Sequence, residues 1–187
     1  MSQLRMFLDI EKHPIPDYPI PDGFRVTRNG PEVAERYEVL REGAGWGKLK
    51  PDFLTNKVIP KGLVFCEDIA TGLPVASATA EFSDYPGHRD EWGNLGQVLS
   101  LESYRGKKLG LVSCLAAMRI IAETGFTKAT LLTDDWRIPA IRIYIGTGWR
   151  PWLSEPDMPE RWQKICETIG VDYATLETYD QNLCLQK

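Results

Sequence analysis

One α/β domain, with a mostly antiparallel sheet early in the chain and a β-α-β unit later, is the fold class that three observations predict. Short β-rich runs divided by turn signals occupy much of residues 23–103. An apolar-periodic helix follows over residues 107–124. A strand, a proline-started helix and a short closing strand then complete the pattern.

Bulk properties agree. A chain of 187 residues suits one domain, or one domain with an appendage, and can bury a core without metal or disulfide staples. The net charge of -4 carries no polycation signature, so nucleic-acid binding is not expected. No apolar run reaches about 18 residues, so no membrane span is predicted. The first residues lack the features of a secretory signal. Cys66, Cys114, Cys166 and Cys184 contain no C-x-x-C pair, so neither a metal site nor a redox dithiol is expected. Free thiols suit a reducing cytoplasm. His13 and His88 lie in loop contexts, which argues against histidine-based metal or triad chemistry.

Residues 1–22 hold Pro14, Pro16, Pro19 and Pro21 and little periodicity, and read as an extended arm packed on the domain that spans 23–187. The alternation in GFRVTR predicts the first strand. Pro31 opens a helix with Val33, Tyr37 and Leu40 at helical spacing and Gly43 near its stop. Residues 45–60 read as a loop or short helix. A hairpin follows, with Leu63, Val64 and Phe65 on one strand, Thr71-Gly72 at the turn, and Val75 to Phe82 returning. SDYPGHRDEWGN is a polar loop and LGQVLSLES a strand. The helix over 107–124 places Leu111, Leu115, Met118 and Ala122 on one face and stops at Gly125. FTKATLLT is a strand. DDWRIPAIRIYIGTG is a helix with Asp134 or Asp135 as N-cap and Pro139 in its first turn. WRPWL closes the sheet, and an amphipathic helix covers about 157–169, ended by Gly170.

The chemistry concentrates in YRGKKLG, Tyr104 to Gly110, at the mouth of the long helix. A helix N-terminus has free N–H groups and partial positive charge. Glycines at 106 and 110 allow close backbone approach, and Arg105, Lys107 and Lys108 add cations. Positive charge there is unfavourable by roughly 0.3–1 kcal/mol per residue unless an anion arrives. The pattern therefore points to a phosphate or pyrophosphate ligand. It is neither a Walker loop nor a dinucleotide fingerprint.

These residues resemble the Gcn5-related N-acetyltransferase (GNAT) superfamily. Its acyl-CoA loop, Gln/Arg-x-x-Gly-x-Gly/Ala, is similar to Arg105-Gly106-Lys107-Lys108-Leu109-Gly110. Its later helix is similar to RIPAIRIYIGTGW at Ala140, Ile141, Ile143, Tyr144, Gly148 and Trp149. The core resemblance spans about 60–152. Lys108 stands where the family has its central glycine, and Arg137 where it has asparagine.

The resemblance implies a GNAT fold: a central mixed, mostly antiparallel twisted sheet with helices on both faces. It implies an N-acetyltransferase that moves acetyl from acetyl-CoA to a primary amine by direct attack, with homodimerisation common. Main-chain groups of Leu99, Ser100 and Leu101 would bind pantetheine. Amides from Gly106 through Leu109 and Gly110 to Leu111 would bind pyrophosphate, and Arg137 lies where the family contacts the pantetheine region. Tyr144 would protonate the leaving thiolate, which suits a phenol with a pKa near ~10.

The amine must also lose a proton. Glu81, on the strand before the polar loop, is the favoured base; Glu102, Asp90 and Glu91 are alternatives, as are water relays, and a solvent-facing strand-end carboxylate is the bland reading of Glu81. Trp92, Trp136, Trp149, Trp152 and Trp162, with Phe82 and Tyr85, either line an acceptor cleft or fill gaps in the core. The rivals are a CoA-binding sensor that does not catalyse and an aminoacyl- or other acyl-transferring enzyme of the same fold.

Overall fold

The computed structural model describes Ser2–Leu183 and the backbone of Leu185–Gln186. Cys184 lies outside the described residues. Two compact units emerge: Ile15–Phe126, and Met1–Pro14 with Thr127–Lys187.

The unit Ile15–Phe126 is an antiparallel four-stranded sheet. Its strands are β2 (Phe24–Asn29), β3 (Val58–Asp68), β4 (Pro74–Phe82) and β5 (Trp92–Ser100), paired in that order. Alternation along β3 sends Phe65 and Cys66 to opposite faces. Phe65 and Leu63 pack with Tyr37 and Leu40 of α1 (Ala34–Gly43) and Leu54 of α2 (Phe53–Asn56). Cys66 and Ala76 pack with Leu109 and Val112 of α3 (Leu109–Glu123). Helices thus cover both faces. A row of alanines on β4 (Ala76, Ala78, Ala80), all buried, keeps the α3 side shallow.

The strand over GFRVTR, which is β2 and not the first, the Pro31 helix start, the hairpin, the long helix and the stop before Gly125 match the sequence reading. β5 starts earlier than read, at Trp92, but ends at Ser100, because the residues read as its end enter the 3-10 turn Glu102–Tyr104, and the next strand starts at Lys128 rather than at Phe126. β3 starts at Val58, inside the stretch read as loop, because Val58 and Ile59 are buried.

The second unit holds β1 (Leu4–Asp9), β6 (Lys128–Thr133), α4 (Ile138–Gly146), β7 (Arg150–Trp152), α5 (Met158–Ile169), β8 (Thr178–Tyr179) and β9 (Leu185–Gln186). β1 pairs antiparallel with both β6 and β7. β7 and β8 are parallel, and β8 and β9 antiparallel. Mixed pairing is therefore real, and antiparallel contacts dominate.

The stretch read as an extended arm contains β1, a paired strand between two neighbours. It shows no alternation because Leu4, Met6, Phe7 and Leu8 are all buried, on both faces. The expected aspartate cap of α4 is also corrected. Arg137 is the N-cap residue and no side chain caps the helix. Asp134 pairs with Arg137 at 2.9 Å, and Asp135 accepts twice from Arg161, at 2.6 and 3.0 Å. Among the described residues, no helix is long and apolar enough to cross a membrane.

Candidate functional site

The α3 N-terminus leaves backbone N–H groups open to the loop before it. The chain leaves β5, makes a 3-10 turn over Glu102–Tyr104, and turns through Gly106 at φ +80°. Space around Gly106 is open, so its backbone can be approached. The first helical bond is Val112 N–H to Lys108 C=O at 3.1 Å. The N–H groups of Leu109, Gly110 and Leu111 precede it and have no intrahelical acceptor. No side chain caps α3, and its first turn holds no acid to compete for those donors.

Lys108 sits in the left-handed region (φ 61°, ψ 14°), where glycine is at ease and a side chain costs about 1–2 kcal/mol. The cations of this loop rest against neighbouring side chains. Lys107 Nζ lies 4.8 Å from the Tyr104 ring centre and 5.5 Å from that of Phe24, and Lys108 Nζ lies 5.4 Å from that of Tyr18. Arg105 rests 3.6 Å from Glu102. Tyr104 anchors the loop by donating to Asp68 at 2.9 Å, which holds the Asp68 carboxyl below the usual range.

Leu99 and Ser100 pair with Ser77 and Ala76 of β4, and Leu101 N–H donates to Val75 C=O at 2.9 Å. Just before them β5 bulges: Gln97 adopts φ +48° and the register with β4 slips. The buried Arg41 guanidinium steadies the bulge. It donates to the Gln97 side chain and to Gly47 C=O (3.0 Å from Nε), against the Tyr37 and Trp46 rings.

Glu81 is not the solvent-facing carboxylate of the bland reading. Strand alternation puts Ser77, Thr79 and Glu81 on one face of β4, and all three are buried. The Thr79 hydroxyl donates to Oε1, Asn94 Nδ2 donates to Oε2 at 2.9 Å, and Lys57 Nζ lies 3.3 Å from Oε2. A Cβ on Gly96 would stand 1.8 Å from Oε1, so only glycine leaves room for this carboxylate. Burial pushes the Glu81 carboxyl up, and Lys57, Thr79 and Asn94 only partly offset it. A carboxyl held above its ordinary range is a better proton acceptor near neutrality than a solvated one. Thr79 was within reach of sequence reasoning, two positions from Glu81 on a strand. Asn94, Gly96 and Lys57 carried no local signal.

The alternative bases are differently placed. Glu102, Asp90 and Glu91 are exposed, and Glu91 pairs with His88 Nδ1 at 2.9 Å. Burial holds the thiols of Cys66, Cys114 and Cys166 above their ordinary range, Cys114 at about 12, so none is a ready thiolate.

In the other unit, Tyr144 lies on α4, buried, with its ring 6.4 Å edge-to-face from Trp149. Gly148 holds φ +98°, and a Cβ there would meet His13 Cβ at 2.8 Å, which explains glycine before Trp149. Arg137 stacks against Trp136 (4.8 Å) and pairs with Asp134. Trp92, Trp149, Trp152 and Trp162 are buried as core fillers, whereas Trp136 is 74% exposed.

No protein-family model matches the chain, and no curated protein matches it. Solved structures do. A GCN5-related N-acetyltransferase from Kribbella flavida is 22% identical, with a TM-score of 0.56, covering 81% of this chain and 55% of that one. A GCN5-related N-acetyltransferase from Sphaerobacter thermophilus is 17% identical, with a TM-score of 0.64, covering 81% and 49%. A putative GNAT-family acetyltransferase from Novosphingobium aromaticivorans is 18% identical, with a TM-score of 0.59, covering 80% and 60%. The chain spans about half the length of these structures. At this identity the likeness establishes the fold: this is a GNAT fold, with a mixed sheet flanked by helices.

Proposed function

We propose that this chain, which has the GNAT fold, is an acyl-CoA N-acyltransferase that moves acetyl from acetyl-CoA to a primary amine of a small molecule or peptide. The observation that carries the proposal is the cradle at the start of α3: an open Gly106 at φ +80°, three amides ahead of the first helical bond, and no competing acid. Such a cradle suits a diphosphate. Main-chain groups of Gly106 to Leu111 would hold the pyrophosphate, and those of Leu99 to Leu101 the pantetheine arm.

The amine attacks the thioester carbonyl after an ammonium proton passes to Glu81, directly or through one water. As the C–S bond breaks, Tyr144 delivers a proton to the sulfur; the attacking nitrogen gives up its second proton to water as the amide forms, and the phenolate regains a proton from solvent. Direct attack agrees with thiols that burial keeps protonated. Unpaired Cys66, Cys114 and Cys166 support a reducing, cytoplasmic setting.

A second reading, a CoA-binding module without turnover, draws on the strained Lys108 and on a Glu81 whose oxygens are already partnered.

Calorimetry with acetyl-CoA on the wild type and Gly110→Asp tests the site. Micromolar binding by the wild type and its loss in the variant are expected. Absence of binding by the wild type, with longer acyl-CoAs as well, sinks the proposal. Turnover with pooled amines separates the two readings. Tyr144→Phe should lower kcat by about 10²–10⁴-fold with acetyl-CoA binding intact; an unchanged kcat removes Tyr144 from the mechanism.

A further inference from the structure

Lys57 has no part in the roles assigned so far, yet it is the one cation within ion-pair distance of Glu81 among the described residues. Its backbone is fixed beside Glu81: Lys57 C=O accepts from Phe82 N–H at 2.9 Å, and Val58 stands opposite Glu81 in the β3–β4 register. Its side chain is 28% exposed, while that of Glu81 is 2% exposed. The ammonium therefore spans from a buried carboxylate to the surface. There it meets Asp84, a largely exposed side chain just past the end of β4. The Lys57 ammonium also lies 6.0 Å from the Phe53 ring centre on α2.

A buried carboxylate without a cation gives up its charge and with it its capacity to take a proton at neutral pH. Thr79 and Asn94 orient Glu81 but bring no charge. The other titratable groups on the surrounding elements do not substitute. On α1, burial pushes the Tyr37 phenol up to about 12, so it is neutral, and Arg41 is engaged by Gln97 and Gly47. In the loop after β4, Arg89 donates to Asn56 C=O at 2.7 Å and lies over Phe82.

We propose that Lys57 is a positioning residue for Glu81: its ammonium, tied to the surface by Asp84, keeps the buried carboxylate oriented and ionised, and so sets the pH at which Glu81 can accept the proton of the acceptor amine. The inference rests on Glu81 being the base of the proposed acyl transfer. Burial acts to lower the Lys57 ammonium, but Glu81 and Asp84 outweigh it and raise it, so Lys57 is charged throughout the working range.

The test is carbon NMR on full-length protein carrying ¹³C at the glutamate side-chain carboxyl, with the Glu81 resonance assigned from Glu81→Gln. Lys57→Met should raise the Glu81 titration midpoint by about 1 pH unit or more, and Lys57→Arg should leave it near the wild type. Asp84→Asn should move it the other way, since a nearby negative charge is lost and Lys57 is released toward Glu81. Asp84→Asn keeps the experiment informative if Lys57→Met does not fold. A midpoint unmoved in both variants overturns the proposal. The acid limb of kcat/KM should follow the NMR midpoint in Lys57→Met, with the plateau at higher pH retained; a limb that stays put also overturns it. Full activity in Glu81→Gln, with the NMR shifts intact, would instead show that Lys57 governs the charge of Glu81 but that Glu81 is not the base.

Discussion

Replacing Gly96 by alanine tests the Glu81 pocket most directly. The new Cβ would sit 1.8 Å from Glu81 Oε1, 2.5 Å from Cδ and 2.9 Å from Oε2. Ordinary contact needs well over 3 Å, so the carboxylate must swing away. Doing so strains or breaks the bonds from Thr79 and Asn94. A hydrogen bond to a charged group contributes about 1.5–3 kcal/mol, and overpacking itself costs about 1–3 kcal/mol. With one of the two bonds lost, the expected destabilisation is about 2.5–6 kcal/mol. In a chain of this size that lowers Tm by roughly 5–24 °C. Thermal and urea unfolding measure it. In a Glu81→Ala background the methyl has nothing to displace, so the same substitution should then cost under about 1 kcal/mol. A cost below about 1 kcal/mol in the wild type, or an equal cost in both backgrounds, would refute the pocket as described.

Lys108→Gly should stabilise the protein by about 1 kcal/mol, because it relieves a left-handed lysine at φ 61°; a denaturant midpoint that falls or stays put would contradict that strain. Asp135 is held below the usual carboxylate range by its Arg161 pair. Its folded form binds fewer protons than the unfolded chain, so its stabilisation is present above the unfolded pKa of about 3.9 and is lost as pH falls through the lower folded value. The stability gap between wild type and Asp135→Asn should therefore narrow in urea titrations below about pH 4, and a gap independent of pH would show that the pair contributes nothing electrostatic.

Local pattern was enough for most elements of this chain. The Gly106–Gly110 loop opening α3, the hairpin around Thr71-Gly72 and the amphipathic α5 are all legible from spacing and turn residues, because their determinants lie within a few positions of one another. Positions separated along the chain were decided by tertiary structure alone. β1 hides its identity because burial on both faces removes the alternation that marks a strand. Asp134 and Asp135 look like caps for α4, yet ion pairs with Arg137 and Arg161 engage them. Glu81 could be named from sequence but not its surroundings. Lys57 comes from the turn between α2 and β3, Thr79 from β4, and Asn94 and Gly96 from β5, and they meet only when these strands pair. The sequence thus determined where α3 begins and which residues stand at its mouth, since a helix mouth is a local object. Only the folded sheet decided what a carboxylate on β4 can do, since its charge depends on burial and on a cation brought from far along the chain.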